Sequence, residues 1–157
     1  MPVIELITPI DAPIERCFDL SRSIDLHSHS ASSTGERAVA GVTTGLIGAG
    51  EEVTWHGRHF GIWQHLTSRI TIFDPPHHFR DSMVRGAFKR IDHDHFFRTE
   101  GERTLMADRF DYDAPLGPLG LLANRIALLR HMRRFLEIRN QVIKRVAESE
   151  EWRRFLD

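Results

Sequence analysis

The chain has 157 residues, of which 41% are hydrophobic and 27% are charged, and its formal net charge is −1. This length can bury one hydrophobic core, so we expect a single domain spanning residues 1–157. Nucleic acids and anionic membranes normally bind basic patches, and the near-neutral charge therefore gives no reason to expect either partner. The single cysteine, Cys17, excludes an internal disulfide and suits a cytoplasmic protein. No apolar run approaches the roughly 20 residues of a membrane-spanning helix, and no signal peptide is recognisable.

The first third of the chain predicts a strand followed by short helices. Residues Pro2–Ile10 alternate in polarity and include β-branched side chains, a pattern typical of a strand. The Asp-Ala-Pro sequence at residues 11–13 marks a helix start. Residues 21–35 are rich in Ser and His and predict a weak helix followed by a loop. The glycine-punctuated stretch at residues 41–50 predicts no clear element.

From Glu51 the sequence predicts a meander of antiparallel strands joined by short turns, including a tight turn at residues 86–88. The predicted strands are Glu51–Gly57, Ile62–Phe73, His78–Arg85, Arg90–Arg98 and Thr104–Asp113. Residues 114–118 end the sheet and lead into a long helix. This order predicts an α+β fold in which the last helix lies across the concave face of a curved sheet. Such packing readily leaves a cavity for a ligand.

Residues 119–148, taken at about 100° per residue, predict one long amphipathic helix. Its apolar face carries Leu121, Leu128, Met132, Phe135, Val142 and Val146. Arg139 projects from that same face. A buried guanidinium without an acceptor would cost several kcal/mol, so a group opposite the helix must satisfy it. That group is a carboxylate of the protein or one of a ligand.

Polar side chains on the predicted sheet should face this arginine. Period-two alternation places Asp81, His93, His95 and Asp108 on the inward faces of three consecutive strands. A turn at residues 99–102 would set His93 opposite Asp108, and His95 opposite Met106. Two explanations stay open: a buried ion-pair network that closes on itself, or a polar anchor at one end of an apolar ligand cavity.

The same residues raise the question of metal binding and catalysis. His93 and His95, with Asp81 or Asp108, would make a His/His/carboxylate set. Because Arg139 would repel a cation there, and no helix-borne metal motif appears, we expect no metal and no other cofactor. No nucleophile motif is present, so no catalytic residue is assigned. Acid–base chemistry by one of the histidines is feasible but is not required by any feature of the sequence.

A set of motifs in fixed order resembles a known family over nearly the whole chain. The motifs are Trp55-His56-Gly57-Arg58-His59-Phe60-Gly61-Ile62, Phe73-Asp74-Pro75-Pro76, Phe79-x-Asp81, Gly86-x-Phe88, His93-x-His95-x-Phe97, Thr104-x-Met106-x-Asp108, Tyr112-x-x-Pro115-Leu116-Gly117 and Arg139-Asn140. They resemble the ligand-binding SRPBCC group of bacterial proteins in the START-like, polyketide-cyclase-like superfamily. The resemblance implies the helix-grip fold, in which a bent antiparallel sheet grips a long C-terminal helix, with two small helices after the first strand.

The resemblance also implies a hydrophobic small molecule or lipid bound between sheet and helix. We expect a binding protein for a lipid, polyketide or aromatic acid, with the oligomeric state left open. The expected ligand-binding residues are Asp81, His93, His95, Asp108, Arg139, Met83, Phe97, Met106, Phe110, Met132, Phe135 and Trp55. One alternative is a cyclase, dehydratase or isomerase acting on an aromatic or polyketide-like substrate. Another is an accessory protein-interaction module, since fold alone does not decide function.

Overall fold

The computed structural model describes residues 2–115 and 125–157, with side chains for all of these except residues 114 and 115. Its strands are β1 (Val3–Ile10), β2 (Arg37–Gly41), β3 (Glu52–His59), β4 (Ile62–Asp74), β5 (His78–Arg85), β6 (Phe88–Glu100) and β7 (Arg103–Pro115). Its helices are α1 (Ile14–Ser21), α2 (Ile24–Ser30), α3 (Arg125–Ala147) and α4 (Trp152–Leu156). A short 3-10 turn covers Ser32–Thr34. The predicted start of the long helix and Leu121 lie outside the described residues.

Within the described ranges the strands form a seven-stranded antiparallel sheet in the order β1-β7-β6-β5-β4-β3-β2. Helices α1 and α2 carry the chain from one edge strand to the other, and the remaining strands follow as consecutive hairpins. The sheet curves around α3, which packs against β1, α1 and α2. The predicted α+β helix-grip fold is therefore confirmed. None of the described helices has both the length and the apolar character needed to cross a membrane.

The predicted register between β6 and β7 is wrong by two residues. Glu100 pairs with Arg103, so the turn contains only two residues and includes Gly101 in the left-handed region at φ 63°. His95 consequently lies opposite Asp108, and His93 lies opposite Phe110. Because an even shift keeps every side chain on its face, the predicted inward face survives the error.

Two elements differ from the sequence prediction for local reasons. Strand β2 was not predicted, because its five residues are mostly exposed and give no alternating pattern. Strand β6 begins at Phe88, so the tight turn predicted at residues 86–88 is one residue shorter. The turn after β3 is a two-residue hairpin in which Phe60 and Gly61 both adopt positive φ, 51° and 77°. Beside this turn, the end of β3 contacts the long helix through a hydrogen bond of 2.9 Å between His59 and His131.

Arg139 marks the boundary between two apolar clusters in the core. One cluster lies around Phe18, whose ring packs against Phe79 and Phe97 at centroid distances of 5.4 Å, and it includes Ile143 of α3. The other lies towards the N-terminal end of α3 and includes Leu136. Since Leu136, Arg139 and Ile143 are all buried on one helix face, the arginine enters the interior between the two clusters. The placement of Arg139 on the apolar face is confirmed.

Candidate functional site

A cavity of about 160 Å³ lies between the sheet, α2 and α3. Most of its surface is apolar, and the aromatic and aliphatic side chains at its wall include Trp55, Phe110, Leu128, Met132 and Phe135. Four of these, all but Leu128, were expected to contact a ligand. The arrangement is typical of small-molecule sites, which are concave and mostly apolar, with a few polar groups that fix orientation.

Asp108 is the centre of the buried polar cluster beside this cavity. Its Oδ1 lies 2.8 Å from Nε2 of His93, and its Oδ2 accepts a hydrogen bond of 2.7 Å from Nδ2 of Asn140. Nη1 of Arg139 lies 3.4 Å from Oδ1. Burial alone would raise the pKa of this carboxyl, but the two histidines and the guanidinium hold it well below its usual range. Asp108 is therefore a buried, fully bonded carboxylate.

The guanidinium of Arg139 finds its acceptors within the protein. Nη1 donates to Oδ1 of Asn140 at 2.9 Å, and Nη2 donates to the carbonyl oxygen of Ser21 at 3.3 Å. Nη2 also lies 3.3 Å from Nδ1 of His95. Together with Asp108, these groups form the closed network that was one of the two explanations for the arginine. Arg139 also reaches the cavity wall.

Asp81 is the most accessible member of the polar cluster, with 28% of its side chain exposed, and it faces the cavity. Its Oδ2 lies 2.8 Å from Nε2 of His95 and 3.9 Å from Nδ1 of His93. Burial acts to raise its pKa, but the hydrogen bond from His95, together with the nearby charge of Arg139, lowers it to about 2. Burial, and then the proximity of His95, lowers the pKa of His93 to about 4. At neutral pH the cluster thus presents an ionised Asp81 and a neutral His93.

One nitrogen or oxygen atom each of Asp81, His93 and His95 lies within 4.8 Å of the others, which is close enough for a shared metal ion. All three side chains reach the cavity. Among the described residues, these three form the one group of His, Cys, Asp or Glu side chains whose spacing would allow them to share a metal ion.

A second polar group lines the cavity away from this cluster and was not predicted. Glu36 lies 2.7 Å from Nε2 of His27 and 3.2 Å from Nε2 of His59, and Nδ1 of His59 shares a hydrogen bond of 2.9 Å with Nε2 of His131. Burial would raise the pKa of Glu36, but the hydrogen bonds from the two histidines lower it to about 2. Burial lowers the pKa of His131. Gly57 permits the close approach, because a Cβ there would lie 3.1 Å from Cβ of Glu36.

Four expected ligand-binding residues do not form part of the cavity wall. Asp108 is covered by its hydrogen-bond partners. Phe97 and Met106 are buried in the apolar cluster around Phe18, and Sδ of Met106 accepts a hydrogen bond of 3.4 Å from Oγ of Ser21. Met83 is half-buried against the other cluster. They share the inward face with the cavity residues, but β-strand alternation alone does not tell core from cavity.

Three aromatic residues near the start of the meander are placed differently. Trp55 is buried at the cavity wall, and the ring of His27 lies 4.1 Å from its ring. Phe60 is half-exposed at the hairpin turn, where it reaches both the cavity and the ring of His131. Trp63 is 55% exposed and stacks on His56 on the outer side.

The sequence matches no protein-family model and no curated protein. Solved structures match over most of the chain. Protein TTHA0849 from Thermus thermophilus is 18% identical, with a TM-score of 0.69 over 90% of this chain and 97% of that one. Major latex-like protein 151 from Panax ginseng is 18% identical, with a TM-score of 0.67 over 94% and 98%.

A START superfamily protein from Mycobacterium smegmatis has a TM-score of 0.70 at 10% identity, covering 93% of this chain and 97% of that one. At these identities the likeness concerns the fold. The order of strands and helices, the long helix and the cavity beneath it agree with that likeness. The chain therefore has the START-like helix-grip fold that its motifs implied.

Proposed function

We propose that this chain is a bacterial, cytoplasmic binding protein for a hydrophobic or amphipathic small molecule, such as a lipid, a polyketide or an aromatic compound. The observation that carries the proposal is the mostly apolar cavity between sheet and long helix, with polar side chains at its wall. Burial of a ligand's apolar part against Trp55, Met132 and Phe135 would supply most of the affinity, at roughly 25 cal/mol per Å² of apolar surface. The START-like fold is in keeping with this function.

The charges around the cavity favour a neutral polar group on the ligand. Arg139 is already paired with Asp108, while Asp81 and Glu36 have lowered pKa values and stay ionised at neutral pH. Arg22, the other arginine at the wall, is paired with Asp19. A ligand carboxylate would therefore meet these carboxylates without an unpaired arginine among the described residues of the wall. A hydroxyl or amide group can instead donate to Asp81. We therefore expect a long-chain alcohol to bind metal-free protein more tightly than the corresponding fatty acid does.

The first experiment is native mass spectrometry of freshly purified protein, followed by denaturing extraction. A retained lipid, polyketide or aromatic compound would support the proposal and identify the ligand class. If the measured mass equals that of the polypeptide alone, the second experiment is a titration with matched alcohols and acids. Tryptophan fluorescence reports the binding in this titration.

A pair of variants tests whether a ligand occupies this cavity. Ala87 lies at the cavity wall, whereas Val84 is an exposed residue of the same hairpin outside it. Ala87→Trp should fill part of the cavity and weaken binding at least tenfold, and Val84→Trp should leave it unchanged. Equal affinities for the two variants, or no binding of any tested compound by the unmodified protein, would contradict the proposal.

A second candidate function, a cyclase, dehydratase or isomerase, is favoured by the two histidine–carboxylate pairs at the cavity. His93 contacts Asp108 and His95 contacts Asp81, each at 2.8 Å, as in an oriented acid–base group. This function requires that His95→Gln abolish turnover of a bound compound while its affinity changes little. A bound compound that is recovered chemically unchanged after long incubation would exclude turnover of that compound.

A further inference from the structure

Three potential metal ligands converge on one point at the cavity wall. Oδ2 of Asp81 lies 2.8 Å from Nε2 of His95 and 3.9 Å from Nδ1 of His93, and one potential ligand atom of each residue lies within 4.8 Å of the other two. Ligands of a tetrahedral zinc ion, each about 2.0–2.2 Å from the metal, are separated by roughly 3.4 Å. The observed separations lie on either side of that value, so small side-chain rotations would complete the geometry.

The outer nitrogens of the same two rings face a second carboxylate. Nε2 of His93 lies 2.8 Å from Oδ1 of Asp108, and Nδ1 of His95 lies 3.3 Å from the same oxygen. Histidines that ligate a metal usually donate their other N–H group to a carboxylate, which fixes the tautomer and the ring orientation. Asp108 is therefore placed to hold the His93 ring with its Nδ1 directed at Asp81, whereas Nδ1 of His95 also lies 3.3 Å from Nη2 of Arg139.

The charge of Arg139, which argued against a metal at the sequence level, is neutralised by its surroundings. Nη1 lies 3.4 Å from Asp108 Oδ1 and donates to Asn140, and Nη2 donates to the Ser21 carbonyl. The Asp108 carboxylate offsets the guanidinium charge, and the negative charge of Asp81 is left over for a cation.

We propose that Asp81, His93 and His95 form a binding site for a divalent transition metal ion. Two imidazoles and one carboxylate match zinc better than magnesium or calcium, which prefer oxygen ligands. The three residues come from the adjacent strands β5 and β6, which hold them on a rigid surface. Because all three reach the cavity, a fourth coordination position faces it. If the cavity binds an organic ligand as proposed above, an oxygen atom of that ligand can occupy this position.

The test is titration of EDTA-treated protein with Zn²⁺ by calorimetry and with Co²⁺ by visible absorption. We expect about one equivalent of metal per chain, with Co²⁺ bands typical of tetrahedral or five-coordinate geometry. Asp81→Asn keeps the shape of a half-exposed side chain and should weaken Zn²⁺ binding at least about 100-fold. His95→Gln should do the same. His29→Gln is the matched control, because His29 lies on α2 beside Phe155 and does not line the cavity.

Several results would overturn the proposal. The first such result is that the unmodified, folded protein does not bind Zn²⁺. Another is unchanged binding by Asp81→Asn, which would place the metal at other histidines, such as the stacked pair His56 and His65. Circular dichroism of each variant shows whether it is folded, and Asp81→Asn remains informative if His95→Gln unfolds. No organic ligand enters these titrations, so their failure is independent of ligand binding in the cavity.

Discussion

Arg139 of the long helix and Asp108 of β7 form an ion pair in the interior, with Nη1 and Oδ1 3.4 Å apart. The two residues are only 5% and 2% exposed. Such a pair is costly to break, because removal of one partner leaves an uncompensated buried charge. The contacts with Asn140 and Ser21 satisfy further donors and acceptors of the pair. Helix and sheet are therefore joined at this point by a bonded polar network as well as by apolar packing.

Replacement of Arg139 by Met should lower the free energy of unfolding by about 3–5 kcal/mol, because it leaves Asp108 without its cation. Urea denaturation followed by circular dichroism measures this loss. Arg134→Met on the exposed side of the same helix is the control and should change stability by less than about 0.5 kcal/mol. Full stability of Arg139→Met, together with loss of ligand binding, would instead assign the arginine to the ligand.

Variants at Met106 and Phe135 distinguish a residue of the core from a residue of the cavity wall. Met106 is fully buried in the cluster around Phe18, so Met106→Ala should cost about 2–5 kcal/mol of stability and leave ligand affinity unchanged. Phe135 is half-buried at the cavity wall, so Phe135→Ala should cost less stability but reduce affinity for apolar ligands. Urea denaturation and a fluorescence titration of both variants check this. A reversed pattern would mean that the ligand lies on the Phe18 side of the core.

Glu36 should make stability depend on acid pH. Its pKa is lowered from 4.5 to about 2 in the folded protein, so its contribution is complete above pH 4.5 and is lost as the pH falls towards 2. The shift corresponds to roughly 3 kcal/mol. Glu36→Gln should therefore be less stable than the unmodified protein at neutral pH and should approach it near pH 2.

Thermal unfolding midpoints across this pH range give the measurement for Glu36. Asp81 and Asp108 also have lowered pKa values and weaken the fold at acid pH, but they do so in both proteins, and the difference isolates Glu36. Glu137→Gln, on an exposed part of α3, is the control. If the unfolding midpoints of Glu36→Gln and the unmodified protein changed in parallel with pH, that result would contradict a buried, ionised Glu36.

Cys17 should be inert in the folded protein. Its side chain is fully buried, and burial raises the pKa of the thiol to about 11, so very little thiolate forms at neutral pH. A thiol reagent such as DTNB should react slowly with the native protein and rapidly after urea unfolding. Equal rates in the two states would show that the interior around α1 opens readily.

The sequence predicts the inward-facing polar residues of β5, β6 and β7 because alternation in a strand is local and independent of register. It does not predict which residues face each other, since that depends on the turn between β6 and β7. The two-residue turn containing Gly101 set His95, rather than His93, opposite Asp108. The side chain of His93 nevertheless reaches Asp108, so both histidines lie beside that carboxylate.

The group around Glu36 could not be predicted from the sequence. His27, Glu36, His59 and His131 come from α2, the segment before β2, the end of β3 and α3, and only the tertiary fold brings them together. Their spacing in sequence matches no metal-binding or catalytic pattern. The close approach of Gly57 to Glu36 is a partial signal, but it becomes recognisable only when β2 and β3 are paired.

The buried arginine also sets the axial position of the long helix. Residues three and four positions away on either side, at 135, 136, 142 and 143, are Phe, Leu, Val and Ile. A helix that slid by one turn along the sheet would place one of these against Asp108 and leave two charges unpaired in the interior. Apolar packing alone tolerates such a displacement far better, because one aliphatic side chain can replace another. The ion pair thereby selects one helix position, and with it one shape for the cavity.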